Sequence, residues 1–250
     1  MNNRTLKKIK AQAMREGGKI LARIRRELVE AARPGTSLME INDLAEKSIR
    51  EAGGTPSFML VPNYQYATCI NINDGVVHGI PTARKIQDGD LVKIDVGMYY
   101  HGFHTDAAIT FISGTVQPDD VQFLSVGQQA LKTAIHHTKS GNRIGHISKA
   151  IQRTIEGEGY TCIRSLTGHG IGQSLHEQPP IPCFLNEAIE KTPLLKEGQT
   201  LAIEVIYAKG SHQLRLEKDG WTLVTEDAGK AGLFEETVMV GNKHSLILTS

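Results

Sequence analysis

Ile86-Gln-Asp-Gly89-Asp-Leu-Val-Lys-Ile94-Asp95-Val96 returns late in the chain as Leu195-Lys-Glu-Gly198-Gln-Thr-Leu-Ala-Ile203-Glu204-Val205, 109 residues on. Each copy has a glycine turn followed by an apolar run long enough for a buried strand. In each, an acid interrupts the run at the same place, Asp95 in the first and Glu204 in the second. Working outward, a second match precedes each strand. Gly35, Leu38, Ile41, Leu44, Ile49 and Gly53 outline a turn and an amphipathic helix, and Gly141, Ile144, Ile147, Ala150, Ile155 and Gly159 repeat the outline at an offset of 106. Ser37 and Glu40 have the spacing of a capping box at the start of the first copy. Further helical patterns come before them, over 19–32 and 121–137. The period is far longer than that of a solenoid repeat, so the pattern reads as one duplication. The expectation is an α+β fold: a single domain over 1–250 with two pseudo-twofold-related halves, roughly 1–112 and 113–250. Each half is helix, helix, then antiparallel sheet covered by the helices.

The interrupting acids decide the chemistry. A carboxylate inside an apolar strand is costly unless it is paired or binds a metal. The run after Asp95 is His104-Thr-Asp106-Ala-Ala-Ile-Thr-Phe111. A hairpin turning at Tyr100-His101 would set Asp106 directly across from Asp95, where two like charges repel unless a cation lies between them. His101 and His104 read as hairpin residues. Glu235 stands at the mouth of another apolar strand, Glu236 to Val240. His169 lies in Thr167-Gly-His-Gly-Ile-Gly172, where the glycines leave the ring accessible. Taken singly, each has an ordinary explanation: a turn or strand-edge acid, a loop histidine, or an ion pair of Glu204 or Glu235 with Lys209 or Lys243. As a set, Asp95, Asp106, His169, Glu204 and Glu235 offer four carboxylates and one imidazole. Two divalent cations would balance that charge, with room for a bridging hydroxide, as in hydrolytic two-metal centres.

Composition narrows the alternatives. A net charge of +1, with 22% charged and 40% hydrophobic residues, gives no sign of a nucleic-acid partner. No apolar run approaches the roughly 18 residues that span a bilayer. Cys69, Cys162 and Cys183 are odd in number and form no CxxC, so a disulfide framework is not expected and a reducing, cytoplasmic setting fits. Between Arg4 and Arg26 nine basic residues face a single acid, Glu16. An organellar transit segment would share that bias. The favoured reading is an amphipathic first helix with Leu6, Ile9, Ile20, Ile24 and Leu28 inward and the basic residues solvated. Transient attraction of its basic face to the ribosome is left open, with no motif behind it.

The chain resembles the type I methionine aminopeptidases of the pita-bread metallopeptidase family from about Leu6 to Thr249. The resemblance is carried by Asn71-Ile-Asn73 with Val77-His78-Gly79-Ile80-Pro81, Ile94-Asp95-Val96, Asp106, Gly168-His-Gly-Ile-Gly172, Leu175-His176-Glu177, Ile203-Glu204, and Glu235 with Thr237. It implies that Asp106 and Glu235 bridge two metals, that Asp95 completes one, and that His169 and Glu204 complete the other. Glu204 would also be the general base, and His78 and His176 would contact the scissile amide and its tetrahedral intermediate. Tyr64, Cys69 and Trp221 would line the methionine pocket. The substrate's α-amine would bind near Asp95, which makes the enzyme an exopeptidase acting on the N-termini of nascent proteins or peptides. The ions would be manganese, iron, cobalt or zinc, and the chain is expected to be a monomer.

Departures from the family pattern are Val205 for a proline, Leu233-Phe234 for Gln-Tyr, Glu236 for a histidine and Leu175 for an aromatic. None removes a ligand, and all bear on ligand orientation or pocket shape. Three rivals remain. A prolidase-like relative would usually carry an additional N-terminal domain, for which the chain has no room. A non-enzymatic peptide-binding relative would have lost ligands, and a nucleic-acid binder would show a stronger charge bias.

Overall fold

Two helix pairs, each feeding antiparallel strands, frame the computed structural model, which describes residues 3–250. The first half runs α1 (Asn3–Ala31), α2 (Leu38–Glu51), β1 (Thr55–Pro56), β2 (Thr68–Ile72), β3 (Gly75–Val77), β4 (Asp90–Tyr100) and β5 (Phe103–Ser113). The second opens with α3 (Pro118–His137), α4 (Ile144–Gly157), β6 (Thr161–Cys162), β7 (Thr167–Gly170) and β8 (Glu177–Pro182). It closes with β9 (Thr200–Ala208), β10 (Leu214–Leu216), β11 (Leu223–Thr225), β12 (Ala231–Met239) and β13 (Leu246–Ile247).

The helix pairs and the strands that follow them correspond in the two halves. Helices α2 and α4 are both 14 residues long. β1 pairs with β4 through Thr55 and Tyr99, as β6 pairs with β9 through Thr161 and Ala208. Gly35 and Gly141, Gly53 and Gly159, and Gly89 and Gly198 all have positive φ, so the repeated glycines mark turns that other residues rarely adopt. The capping box forms: Ser37 Oγ accepts from the Glu40 amide at 3.2 Å and the Glu40 carboxylate accepts from the Ser37 amide at 2.7 Å.

β4 carries β1, β2 and β5 in one sheet, and β9 lies in a six-stranded sheet ordered β13-β12-β9-β7-β8 with β6 also on β9. A small third sheet, β10-β11-β3, ties the first half to the second. β5 and β12 meet at the seam between the two large sheets, and threonine hydroxyls join them. Thr110 Oγ1 donates to the Leu233 carbonyl at 2.6 Å and accepts from the Leu233 amide at 2.8 Å. Thr237 Oγ1 does the same with Asp106, at 2.7 and 2.8 Å.

Two expectations are corrected. The β4–β5 turn falls at His101-Gly102, both at positive φ, as a two-residue hairpin loop requires. Asp95 therefore faces Ala108, and Asp106 faces Gly97; the two acids share a face but sit diagonally. In α1, Leu6 and Ile9 are exposed, and burial begins at Ala13 and Met14. Leu21, Ile24 and Leu28 form the inward stripe and Ile20 is half-buried. Arg25, expected in solvent, turns inward. Among the described residues no helix is long and apolar enough to cross a membrane.

Candidate metal centre

The acids converge where the two large sheets abut. β9 and β12 run antiparallel with Glu204 directly opposite Glu235, a pairing not foreseen in the sequence. β4 and β5 bring Asp95 and Asp106 from the other half. His169, on β7 beside β9, points its Nε2 at Glu204, 3.6 Å from Oε1. Its Nδ1 lies 2.8 Å from the Gly170 carbonyl; donation there places the proton on Nδ1 and leaves the Nε2 lone pair facing the acids. Close packing explains the flanking glycines. A Cβ on Gly168 would lie 2.6 Å from the Ala202 carbonyl, and one on Gly170 would lie 2.3 Å from that of Gln178.

All ten residues predicted for the site line one cavity: Asp95, Asp106, His169, Glu204 and Glu235 with His78, His176, Tyr64, Cys69 and Trp221. Phe58, Val61, Val77 and Leu175 complete its wall. Phe58 and Val61 come from a short 3-10 turn, whose residues carry no periodic signal to reveal them. The apolar side is tightly built. Tyr64 Oη donates to the Thr68 carbonyl at 2.8 Å and accepts from Cys69 Sγ at 3.2 Å, and the Tyr64 and Trp221 rings meet edge-on at 5.0 Å. His78 and His176 are exposed at the rim, with the His176 ring 4.5 Å from that of His169. His78 holds a φ of +57°, a left-handed backbone that aims an unbranched but bulky ring into the cleft. His104 proves to be buried rather than a hairpin-surface residue: its Nδ1 lies 2.9 Å from Ser57 Oγ, and its amide donates to the Gly172 carbonyl at 2.7 Å.

Electrostatics mark the acids as a site that wants cations. Burial, then the charge of Asp106, drives Asp95, Glu204 and Glu235 well above the usual carboxylate range. Burial pushes Asp106 up to about 7, although hydrogen bonds from the Ala107 amide and the Asp95 carboxyl pull the other way. Burial, and then His176, lowers His169 to about 4, so its imidazole is neutral and free to ligate. The ion-pair alternative for Glu204 does not apply, since Lys209 and Lys230 both pair with Asp120, at 2.8 and 2.7 Å. Lys93 lies in the same strand as Asp95 and is fully buried, yet it donates to the Asn73 and Ala231 carbonyls at 2.7 and 3.0 Å.

The donor set fits divalent metal. One ligand atom each from Asp106, His169 and Glu235 all lie within 4.8 Å of one another. Asp95 Oδ1 and Glu235 Oε1 are buried with no hydrogen-bond partner, which a coordinated ion would supply. This frame, with a carboxylate-rich centre beside an apolar pocket and two rim histidines, defines a pita-bread metallopeptidase. The sequence matches the profile of metallopeptidase family M24 over residues 12–242. It is 38% identical over 236 residues to methionine aminopeptidase 1 of Bacillus subtilis, with 94% of each chain covered. A crystal structure of methionine aminopeptidase from Thermotoga maritima superposes with a TM-score of 0.93 at 35% identity, covering 96% of both chains. Prolidase from Pyrococcus furiosus shares the fold at a TM-score of 0.78 and 21% identity, and this chain covers 64% of that protein's length. The chain belongs to family M24, among its methionine aminopeptidases.

Proposed function

We propose that the cavity is the active centre of a metal-dependent aminopeptidase that hydrolyses the N-terminal methionine from proteins and peptides. One observation carries the reading: five ligand-type side chains from both halves meet at the floor of a cavity whose walls are apolar on one side and histidine-rimmed on the other. Asp95, Asp106, His169, Glu204 and Glu235 would hold two divalent ions there, with Asp95 serving one and His169 and Glu204 the other. Manganese, iron, cobalt and zinc all suit such oxygen-rich ligation with one histidine. Bound in this place, the ions supply an activated water and polarise the scissile carbonyl.

The protein's own groups do the rest. Glu204 is the general base: its carboxylate lines the cavity beside the metal position, where it can take the water's proton. His78 and His176, kept neutral by their surroundings, donate N–H groups to the scissile amide and to the oxyanion that develops from it. Tyr64, Cys69 and Trp221 receive the methionine side chain. Burial holds the Cys69 thiol protonated, so this wall presents sulfur and aromatic edges to a thioether. The substrate's free α-amine sits at the Asp95 end, which restricts cleavage to the first peptide bond. The enzyme works as a cytoplasmic monomer on nascent N-termini, with any ribosome contact falling on the exposed basic side chains of α1, among them Lys8, Arg15, Lys19, Arg23 and Arg26.

The test is release of free methionine from a Met-Ala-Ser peptide. The purified chain is stripped with chelator and then supplied separately with manganese, iron, cobalt and zinc. Metal-dependent release is expected. Silence with every metal in a folded protein would reject the assignment.

A further inference from the structure

Directly behind the metal centre, on the helix side of β12, lies a half-buried ion pair. Side chains alternate along a strand, so while Glu235 faces the cavity its neighbour Glu236 faces α1. There Arg25 Nη2 donates to Glu236 Oε1 at 2.7 Å, with 12% and 15% of the two side chains exposed. The same guanidinium reaches two backbone carbonyls. Nη1 donates to that of Glu235 at 3.2 Å, and Nη2 to that of Thr249 at 3.1 Å. Thr249 closes the ring: its hydroxyl donates to the second oxygen of Glu236 and accepts from the Thr237 amide at 3.0 Å. Thr237 in turn grips both backbone groups of Asp106. A continuous set of polar contacts thus runs from α1, through the Glu235–Glu236 peptide, to the peptide of Asp106.

We propose that Arg25, with Glu236 and Thr249, is a positioning residue for the metal centre, holding the backbone of Glu235 so that its carboxylate and that of Asp106 meet at the distance a shared ion requires. This rests on the metalloaminopeptidase reading above. The physical case is threefold. An ion pair shielded from water often stabilises a fold no better than well-packed apolar side chains of the same volume, and what this one adds is the fixed geometry of its contacts. Only a planar guanidinium presents enough donors in fixed directions to hold one carboxylate and two carbonyls together; a lysine ammonium on a flexible stem does not. The pair also adjoins a metal ligand, with Glu236 next to Glu235 and its cation drawn from a helix 211 residues away in sequence. Groups that orient metal ligands change metal affinity about tenfold to a hundredfold when removed.

The experiment titrates manganese into the chelator-stripped full-length chain by calorimetry, alongside thermal melts and kcat and KM for a methionyl peptide. The variants are Arg25→Met, Arg25→Lys, Glu236→Gln and the double Arg25→Met/Glu236→Met. Arg25→Met should weaken the tightest manganese site by about tenfold or more and lower kcat with little change in KM. Arg25→Lys should recover part of the melting temperature but not the affinity. The double variant should melt near wild type while still binding manganese weakly, which a merely structural ion pair would not do. Should Arg25→Met fail to fold, Glu236→Gln carries the same expectation with its shape intact. Manganese affinity and kcat within twofold of wild type in Glu236→Gln and the double variant would overturn the inference. A folded wild-type chain that takes up no divalent ion would instead overturn the metalloaminopeptidase reading, and the inference with it.

Discussion

The β4–β5 hairpin and the β9–β12 pair occupy corresponding places in the two halves, yet they deliver their acids differently. In the second half Glu204 faces Glu235 across the ladder. In the first, Asp95 faces Ala108, and the second acid, Asp106, lies two residues along, opposite Gly97. Ala108 thus stands where the other half has Glu235, and Leu233 stands where the first has Asp106. The seam obeys the symmetry that the acids break: Thr110 grips Leu233 just as Thr237 grips Asp106. The frame is symmetric at the seam, and the site comes from different side chains on equivalent positions. The three groups that come within 4.8 Å, Asp106, His169 and Glu235, are drawn from both halves. Neither half holds the cluster alone.

The strongest way to break this comparison is to remove one acid from each half. Asp106→Ala and Glu235→Ala should each abolish metal uptake and cut kcat/KM by about a thousandfold, because each removes one of the three ligand-type groups that cluster within 4.8 Å. If either variant retained near-normal turnover with metal bound, the site would belong to one half and the seam would be incidental.

The paired threonines sharpen the point. Thr110→Val and Thr237→Val each strand a buried amide and carbonyl, so each should cost about 1–3 kcal/mol of stability. Equivalent positions predict equal melts. Function should divide them: Thr237→Val loosens a ligand-bearing peptide and should weaken metal affinity about tenfold, while Thr110→Val loosens only Leu233 and should leave affinity unchanged. Equal losses of affinity in both would mean that the seam acts as a whole rather than through Asp106.

How much of this was legible follows from the range of the interactions. The repeat was readable because its signals are local: glycines at positive-φ turns, apolar spacing along α2 and α4, and the Ser37–Glu40 box. Asp95 and Glu204 stood out as charges within apolar runs, and that alone brought the sequence close to the centre. The hairpin register was missed by one residue of turn position, since it depends on His101, a non-glycine residue, adopting positive φ. The inward turn of Arg25 was missed because its partners, Glu235, Glu236 and Thr249, lie more than 200 residues away. The burial of Lys93 is of the same kind, since one of its carbonyl partners is Ala231, 138 residues on. Long polar side chains near charged runs read as solvated until their acceptors are known.

A smaller effect tests whether the two halves share one electrostatic field. Burial holds Asp106 at about 7, far above its ordinary value of 3.8. Between those values the folded, metal-free chain binds more protons than the unfolded chain, so this group makes stability fall as pH rises from about 4 to 7. Asp95, Glu204 and Glu235 are shifted in the same direction. His169 and His104, pressed down to about 4, act oppositely up to their ordinary value of 6.5, so the wild-type profile alone mixes the two. Substitution isolates the acids. Stripped Asp106→Asn and Glu235→Gln should each gain on stripped wild type as pH rises from 5 to 7.5, by a few degrees in melting temperature at about 2–4 °C for each kcal/mol. With manganese present the order should reverse, because bound metal displaces the protons and stabilises the intact ligand set alone. Each removed charge should also lower the proton affinity of the acids that remain in the other half. If Glu204 and Glu235 keep their wild-type proton affinity in stripped Asp106→Asn, the carboxylates titrate independently and the field is not shared across the seam.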